Sequence, residues 1–171
     1  MNLSIHFLKV FSKIVFLLTL ALFLSCKESQ LSYTNTTETD PLKPKQGVSG
    51  QVIYKEGTFD ANGNLISRNG IAIGVSRQVY FYELTGLKEA EMGDGSFIKM
   101  IHTDIIDSAK SDKDGRFLKA LKPGNYTVVV KENERLFCPV NDEGIFCPVT
   151  VFKDSVTAIM LNIDYNAKYS E

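Results

Sequence analysis

The 171-residue chain has no tryptophan, only two histidines and only three cysteines. Each scarcity restricts the kinds of catalytic and binding site that the chain can form. His6 lies in an apolar N-terminal segment, so His102 is the only histidine left for the rest of the chain. Neither a Gly-x-Ser-x-Gly elbow nor a His-x-x-Glu zinc pair occurs. We therefore interpret His102 as a surface or satisfied polar residue rather than a base. We expect a protein that is not an enzyme, with no catalytic residues and no cofactor.

The chain also lacks an apolar run long enough to span a bilayer. Its longest, residues 14–24, is well short of the ~20 residues that a spanning helix needs. Lys9 and Lys13 precede this run, and small residues end it. This pattern predicts a secretory signal peptide over residues 1–25.

Residues 23–26, Phe-Leu-Ser-Cys, resemble the lipobox of bacterial lipoproteins, with Phe23 in place of the usual leucine. The resemblance implies that Cys26 is lipidated and that the membrane is a partner through this anchor. Lys27-Glu28 is similar to part of the surface-export signal of Bacteroidetes lipoproteins, which implies an outer-membrane protein exposed on the cell surface. The alternatives are a soluble secreted protein cut nearby and an uncleaved anchor. Residues 26–46 are polar and predict a lipidated, flexible tether.

A basic face is also missing. Residues before Cys26 contain two of the 19 Lys and Arg and no acidic residue, which leaves 17 bases, 20 acids and a net charge of −3. Nucleic-acid binding usually shows clustered bases. We therefore exclude a nucleic-acid partner.

What the rest of the chain does contain is short strand-like segments separated by turn signals. Many alternate apolar and polar residues, and glycine, asparagine and proline lie between them. This arrangement predicts an all-β antiparallel sandwich or barrel. The predicted strands are residues 47–54, 78–84, 97–106, 116–120, 126–131, 145–152 and 156–163, with a protruding hairpin over residues 57–74 whose arms lie near Thr58 and Ile71.

Residues 111–130, SDKDGRFLKALKPGNYTVVV, resemble the signature of the carboxypeptidase regulatory-like family. The resemblance implies a transthyretin-like Greek-key β-sandwich of about seven strands over residues 47–165, followed by a tail at 166–171. It also places Phe117 and Tyr126 in the core, with the tyrosine hydroxyl bonded to the backbone. Peptidase activity is not implied, since no zinc pair is present.

Two acidic turns are similar to the start of a calcium loop. They begin at Asp60 and Asp112, but neither has the oxygen ligands and the bidentate glutamate that such a loop requires. We favour hairpin turns stabilised by the aspartate side chains, and we predict no metal site.

Residues 136–151, LFCPVNDEGIFCPVTV, repeat Cys-Pro-Val around a short acidic segment. With Cys26 assigned to lipid, Cys138 and Cys147 form an even pair in an exported protein, which favours a disulfide. A turn at residues 141–144 would bring them to facing positions. Zinc would need further soft ligands, and a redox centre would favour Cys-x-x-Cys, so both alternatives are weaker.

The loop closed by these cysteines is our candidate binding loop, through Asn141, Asp142, Glu143 and Phe146. Phe137 and Phe146 are interpreted as core, with an exposed aromatic pair as the alternative.

The functional prediction is a structural or binding module with a protein or glycan partner; the alternative is a carbohydrate-binding module or an accessory subunit of a surface enzyme or transporter. Residues 107–109 and 154–156 also resemble Bacteroidetes O-glycosylation sites.

Overall fold

The computed structural model describes residues 44–170, which contain eleven β-strands, one 3₁₀ turn at Leu87–Glu89 and no α-helix. The strands are β1 (Gly47–Phe59), β2 (Ile71–Gly74), β3 (Gln78–Glu83), β4 (Ala90–Met92), β5 (Phe97–Ile101), β6 (Ile105–Lys110), β7 (Arg116–Ala120), β8 (Gly124–Glu132), β9 (Arg135–Phe137), β10 (Pro148–Val151) and β11 (Val156–Tyr169).

The strands form two sheets that pack against each other, so the predicted all-β sandwich is confirmed. One sheet has the order β11-β1-β2, and β7 also pairs with β1. The other has the order β4-β5-β9-β8-β3-β6, and β10 pairs with β8. Each predicted run contains a strand. The additional strands are the short β4 and β9, and the run at 97–106 divides into β5 and β6. All neighbours are antiparallel except β1 and β11, which are parallel.

The main core lies between the sheets. Side chains alternate along a strand, so every second residue of β1, β3, β8 and β11 points inward. The predicted core residues Phe117 and Tyr126 are buried, and the Tyr126 hydroxyl donates to the Lys122 carbonyl oxygen at 2.9 Å. Central members of this core are Val48, Val52, Val79, Phe81, Val128, Val130, Leu161 and Ile163.

A second apolar cluster, which we call the outer cluster, lies on the opposite face of β8. Its fully buried members are Ile98, Val129, Cys138 and Phe146, and Tyr80 and Tyr82 of β3 pack against them. The β4–β5 hairpin and the segment between the two cysteines supply its cover. Both faces of β3 and β8 are therefore covered.

Three tight turns share the pattern Asp/Asn-x-x-Gly and the same hydrogen bonds. They begin at Asp60, Asp112 and Asn141. In each, the first residue's Oδ1 accepts from the backbone N–H groups two and four residues later, at 2.8–3.1 Å. The fourth residue is a glycine with φ between 76° and 82°, which a side chain would disfavour. Both acidic turns are therefore stabilised by the aspartate side chain, as predicted. The turn at Asp60 lies within a hairpin, whereas the turn at Asp112 joins β6 and β7 of different sheets and is not a hairpin. Hydrogen bonds, first of all from the Asn64 side chain, lower the pKa of Asp60.

The C-terminal strand is longer than expected. β11 continues to Tyr169, which pairs with Phe59 of β1 and packs on its ring at 5.8 Å between centroids. The prediction of a tail from residue 166 is wrong, because β1 itself extends past the predicted end at residue 54 and provides a ladder partner. The hairpin expected over residues 57–74 is present, with β2 paired to residues 53–56 of β1.

Candidate functional site

The two cysteines of the candidate loop form a disulfide, as predicted. Cys138 and Cys147 have Cα atoms 6.1 Å apart and are bonded through sulfur. Between them, Val140 and Phe146 pair across the turn that Asn141 organises. We call residues 138–147 the disulfide hairpin. Cys138 is almost wholly buried, whereas Cys147 is partly exposed.

Buried threonines attach the disulfide hairpin to the sandwich. The Thr127 hydroxyl on β8 donates to the Phe146 carbonyl oxygen at 2.9 Å and accepts from the Thr85 backbone N–H at 2.9 Å. The Phe146 N–H donates back to the Thr85 carbonyl oxygen at 3.1 Å. Thr85 also shares a 2.6 Å hydrogen bond with Thr103, and both Thr85 and Thr127 are fully buried. These bonds satisfy the polar groups of an otherwise apolar site.

These threonines are site residues that the sequence did not single out. The available signal was Thr127, a hydroxyl residue in the run Tyr-Thr-Val-Val-Val, at a position that alternation assigns to the outer face. Its partners are 19 and 42 residues away in sequence. Only the folded chain brings them together.

The exposed surface of the hairpin combines acidic and apolar side chains. Asn141, Asp142 and Glu143 are exposed at the tip. Leu87 lies next to the hairpin, because its N–H donates to the Gly144 carbonyl oxygen at 2.9 Å. The exposed apolar members of this surface are Leu87 and Val140.

Phe146 does not belong to that surface. Its side chain is fully buried in the outer cluster, so its assignment to the binding loop is wrong. Phe137 is buried as well, with its ring 5.2 Å from that of Phe97 in the main core. The interpretation of both phenylalanines as core is confirmed, because each packs against one face of the sheet that contains β8.

A cleft lies on the other side of the disulfide. It has a volume of about 130 Å³ and separates the disulfide and Pro139 from residues 160–164 of β11. Val128, Val130 and Phe137 form its apolar floor.

The end of β8 carries an ion pair that the sequence did not predict, and its carboxylate is buried. Arg77 donates through Nε to Glu132, whose side chain is only 3% exposed. The Tyr165 hydroxyl donates to the other carboxylate oxygen of Glu132 at 3.2 Å. Burial, followed by the Glu132 charge, raises the pKa of Tyr165. Arg135 stacks over the Phe97 ring, 3.7 Å from its centroid. The Arg77–Glu132–Tyr165 bonds anchor the end of β8 to β11.

His102 lies in the connection between β5 and β6, not in a strand as the alternating run suggested. It is exposed, and its Nε2 lies 3.8 Å from Glu91 Oε1. Lys99 bonds to the same carboxylate and lowers the pKa of Glu91. In residues 44–170, no group of three or more His, Cys, Asp or Glu could hold a metal ion. Over the same residues, no helix has the length and apolarity to cross a membrane.

The remaining predicted sites differ in what the structure says of them. Cys26 and the signal peptide lie outside the described residues. Of the two glycosylation-like motifs, Ser155 is exposed in the turn before β11, whereas Ser108 is half-buried in β6.

No protein-family model matches the chain, and neither a curated protein nor a solved structure shows significant similarity to it.

Proposed function

We propose that this is a lipid-anchored, non-enzymatic protein of the bacterial cell envelope, whose β-sandwich is a structural or binding module for another protein. The observation that carries the proposal is the disulfide hairpin. A covalent bond closes it and buried threonine hydrogen bonds attach it to the sandwich, while its acidic tip and the neighbouring Leu87 are exposed. Rigid loops on a sheet scaffold are typical recognition elements.

Anchoring is supported by the order of segments along the chain. An apolar leader, a cysteine in a lipobox-like context and a polar stretch precede Gly47, where β1 begins. Two or more acyl chains on Cys26 would hold the protein stably in a membrane, whereas one chain binds only reversibly. A disulfide also suits an oxidising compartment outside the cytoplasm.

A protein partner is better supported than a glycan. Sugar sites usually present aromatic rings, yet Phe137 and Phe146, the aromatics of the cysteine segment, are buried. The exposed side chains at the hairpin are acidic or aliphatic, which suits contact with a basic and apolar protein surface. A carbohydrate-binding module is the weaker alternative, and a glycan array tests it. An accessory subunit of a surface enzyme or transporter is one form of the favoured function.

Metabolic labelling with a palmitate analogue tests the anchor. The full chain should incorporate the label and sediment with membranes, and Cys26→Ser should abolish both. Cys138→Ala/Cys147→Ala is the matched control, since it removes the other two cysteines and should retain the label. Label that persists in Cys26→Ser would contradict the proposal.

A further inference from the structure

The outer edge of β11 offers unpaired backbone groups over an unusual length. β11 is the outermost strand of its sheet, has 14 residues and, within the described part of the chain, pairs only with β1. Residues 156–163, VTAIMLNI, contain neither a charge nor a proline. Charges and prolines are the usual means by which proteins protect a strand edge. This edge is therefore suited to accept another strand.

An apolar cleft runs beside the middle of this edge. Near its start, β11 is covered by β10, since the Thr157 hydroxyl donates to the Thr150 carbonyl oxygen at 2.6 Å. Further along, residues 160–164 border the cleft of about 130 Å³ whose opposite wall is Pro139 and the disulfide. Cavities of roughly this size accommodate a molecule such as benzene, and thus one Val or Leu side chain. A strand added at this edge could place one side chain in the cleft.

Polar groups at the cleft indicate the chemistry of the added chain. The Asn162 Oδ1 atom is buried and has no hydrogen-bond partner among the described residues. Such atoms are nearly always satisfied, so a donor from a bound chain would complete this site. Asp164 is the only charged residue of the lining, and no base lies among the ten lining residues. Asp142 and Glu143 at the hairpin tip add further negative charge, and no ion pair involves these three acids in residues 44–170.

We propose that the β11 edge and its cleft bind an extended segment of a partner polypeptide. The segment adds to β11 as a strand, inserts one small apolar side chain into the cleft and carries a lysine or arginine near Asp164. In strand addition, main-chain hydrogen bonds supply affinity and pockets for alternate side chains supply specificity. This inference deepens the proposed function and rests on it, because it names the partner class and the surface that recognises it.

The test selects phage-displayed random decapeptides on the full chain in detergent micelles. Selected sequences should alternate small apolar and polar residues and contain a base. A synthetic peptide from the selection should protect the backbone amides of residues 160–164 against hydrogen exchange. Alternate backbone nitrogens of the bound peptide face β11. Methylating two of these nitrogens should weaken binding about tenfold or more, since two hydrogen bonds to β11 are lost. Methylating two backbone nitrogens that point away from β11 is the internal control and should weaken binding far less.

A pair of charge variants tests the electrostatic part. Asp164→Asn should weaken binding of the basic peptide severalfold, and replacing the peptide's base by glutamate should do the same. Asp104→Asn, an exposed position outside the cleft lining, should leave the affinity unchanged. Equal thermal melting of both variants and the parent chain shows that the fold is intact.

Three outcomes would overturn the inference: no enriched peptide, binding without protection of residues 160–164, or equal loss of binding whether the methylated nitrogens face β11 or point away from it. Protection that increases with protein concentration in the absence of peptide would assign the edge to a second copy of the chain instead. A lipidated chain that binds its partner through the hairpin tip, with β11 unprotected, would keep the proposed function and refute only this inference. Conversely, failed palmitate labelling would leave the peptide result untouched.

Discussion

The main core and the outer cluster lie on opposite faces of β8 and are held in different ways. The main core joins two sheets through many buried aliphatic and aromatic side chains from strands far apart in sequence. The outer cluster has four fully buried members, one of them a disulfide cysteine, and its cover is attached by threonine hydroxyls. A large apolar area stabilises the first, while a covalent link and a few hydrogen bonds supplement the small area of the second. One strand can therefore support both a large core and a smaller cluster that a disulfide helps to hold.

The largest expected effect is in the main core. Phe81→Ala removes a fully buried ring that lies 6.2 Å from the Phe117 ring, and it should lower the free energy of unfolding by about 3–5 kcal/mol. Urea denaturation followed by fluorescence and circular dichroism measures this. Phe152→Ala, whose ring is 63% exposed, should change stability by less than about 0.5 kcal/mol. Similar losses in the two variants would refute the assigned burial.

Loss of the disulfide should have the next largest effect on stability, and mainly in the outer cluster. Cys138→Ala/Cys147→Ala opens a loop of sequence separation 9 and should cost about 2.5–3 kcal/mol. Hydrogen exchange should become faster at residues 138–147 before it does at β8, since the main core does not depend on the bond. Uniform loss of protection in both clusters would mean that they unfold as one unit.

Removal of the threonine bonds should have a somewhat smaller effect. Thr127→Val keeps the shape of the side chain but leaves the Phe146 carbonyl oxygen and the Thr85 N–H short of a partner inside the protein. An unsatisfied buried group costs about 1–3 kcal/mol. Thermal unfolding measures the loss, and Thr150→Val, at an exposed strand position, is the control. A neutral result at Thr127 would show that the hairpin is held by its apolar contacts alone.

The smallest expected effect on stability comes from the turn between β8 and β9. Residues of these two strands belong to both clusters. Asn133 and Glu134 have φ of 47° and 63°, a conformation that favours glycine at the second position. Glu134→Gly should stabilise both clusters by about 0.5–1 kcal/mol, because relief of left-handed strain exceeds the entropy of glycine. Glu134→Ala is the control, since it also removes the exposed ion pair with Lys131 but keeps the strain. Destabilisation by glycine would contradict this account of the turn.

Local chemistry explains most of what could be predicted. The strands that contain Gln78, Arg116 and Tyr126 follow from alternation, and the turns at Asp60 and Asp112 follow from a carboxylate that bonds to its own backbone next to a glycine. The disulfide follows from cysteine count and compartment. Each of these depends on residues close together in the chain, so the folded state was not needed to find them.

Nonlocal pairing decided the rest. Alternation places Thr127 and Val129 on one face of β8, but it does not say that the disulfide hairpin buries that face, or that Phe146 turns inward with it. The parallel pairing of β1 with β11 joins residues more than 100 positions apart. Among residues 44–170, it leaves the outer edge of β11 without a paired strand beside the cleft. The sequence by itself determined strands, turns and the cysteine pair, because these are local. Only the tertiary structure decided which faces are covered and which edge is free, because those depend on the total area that distant segments bury together.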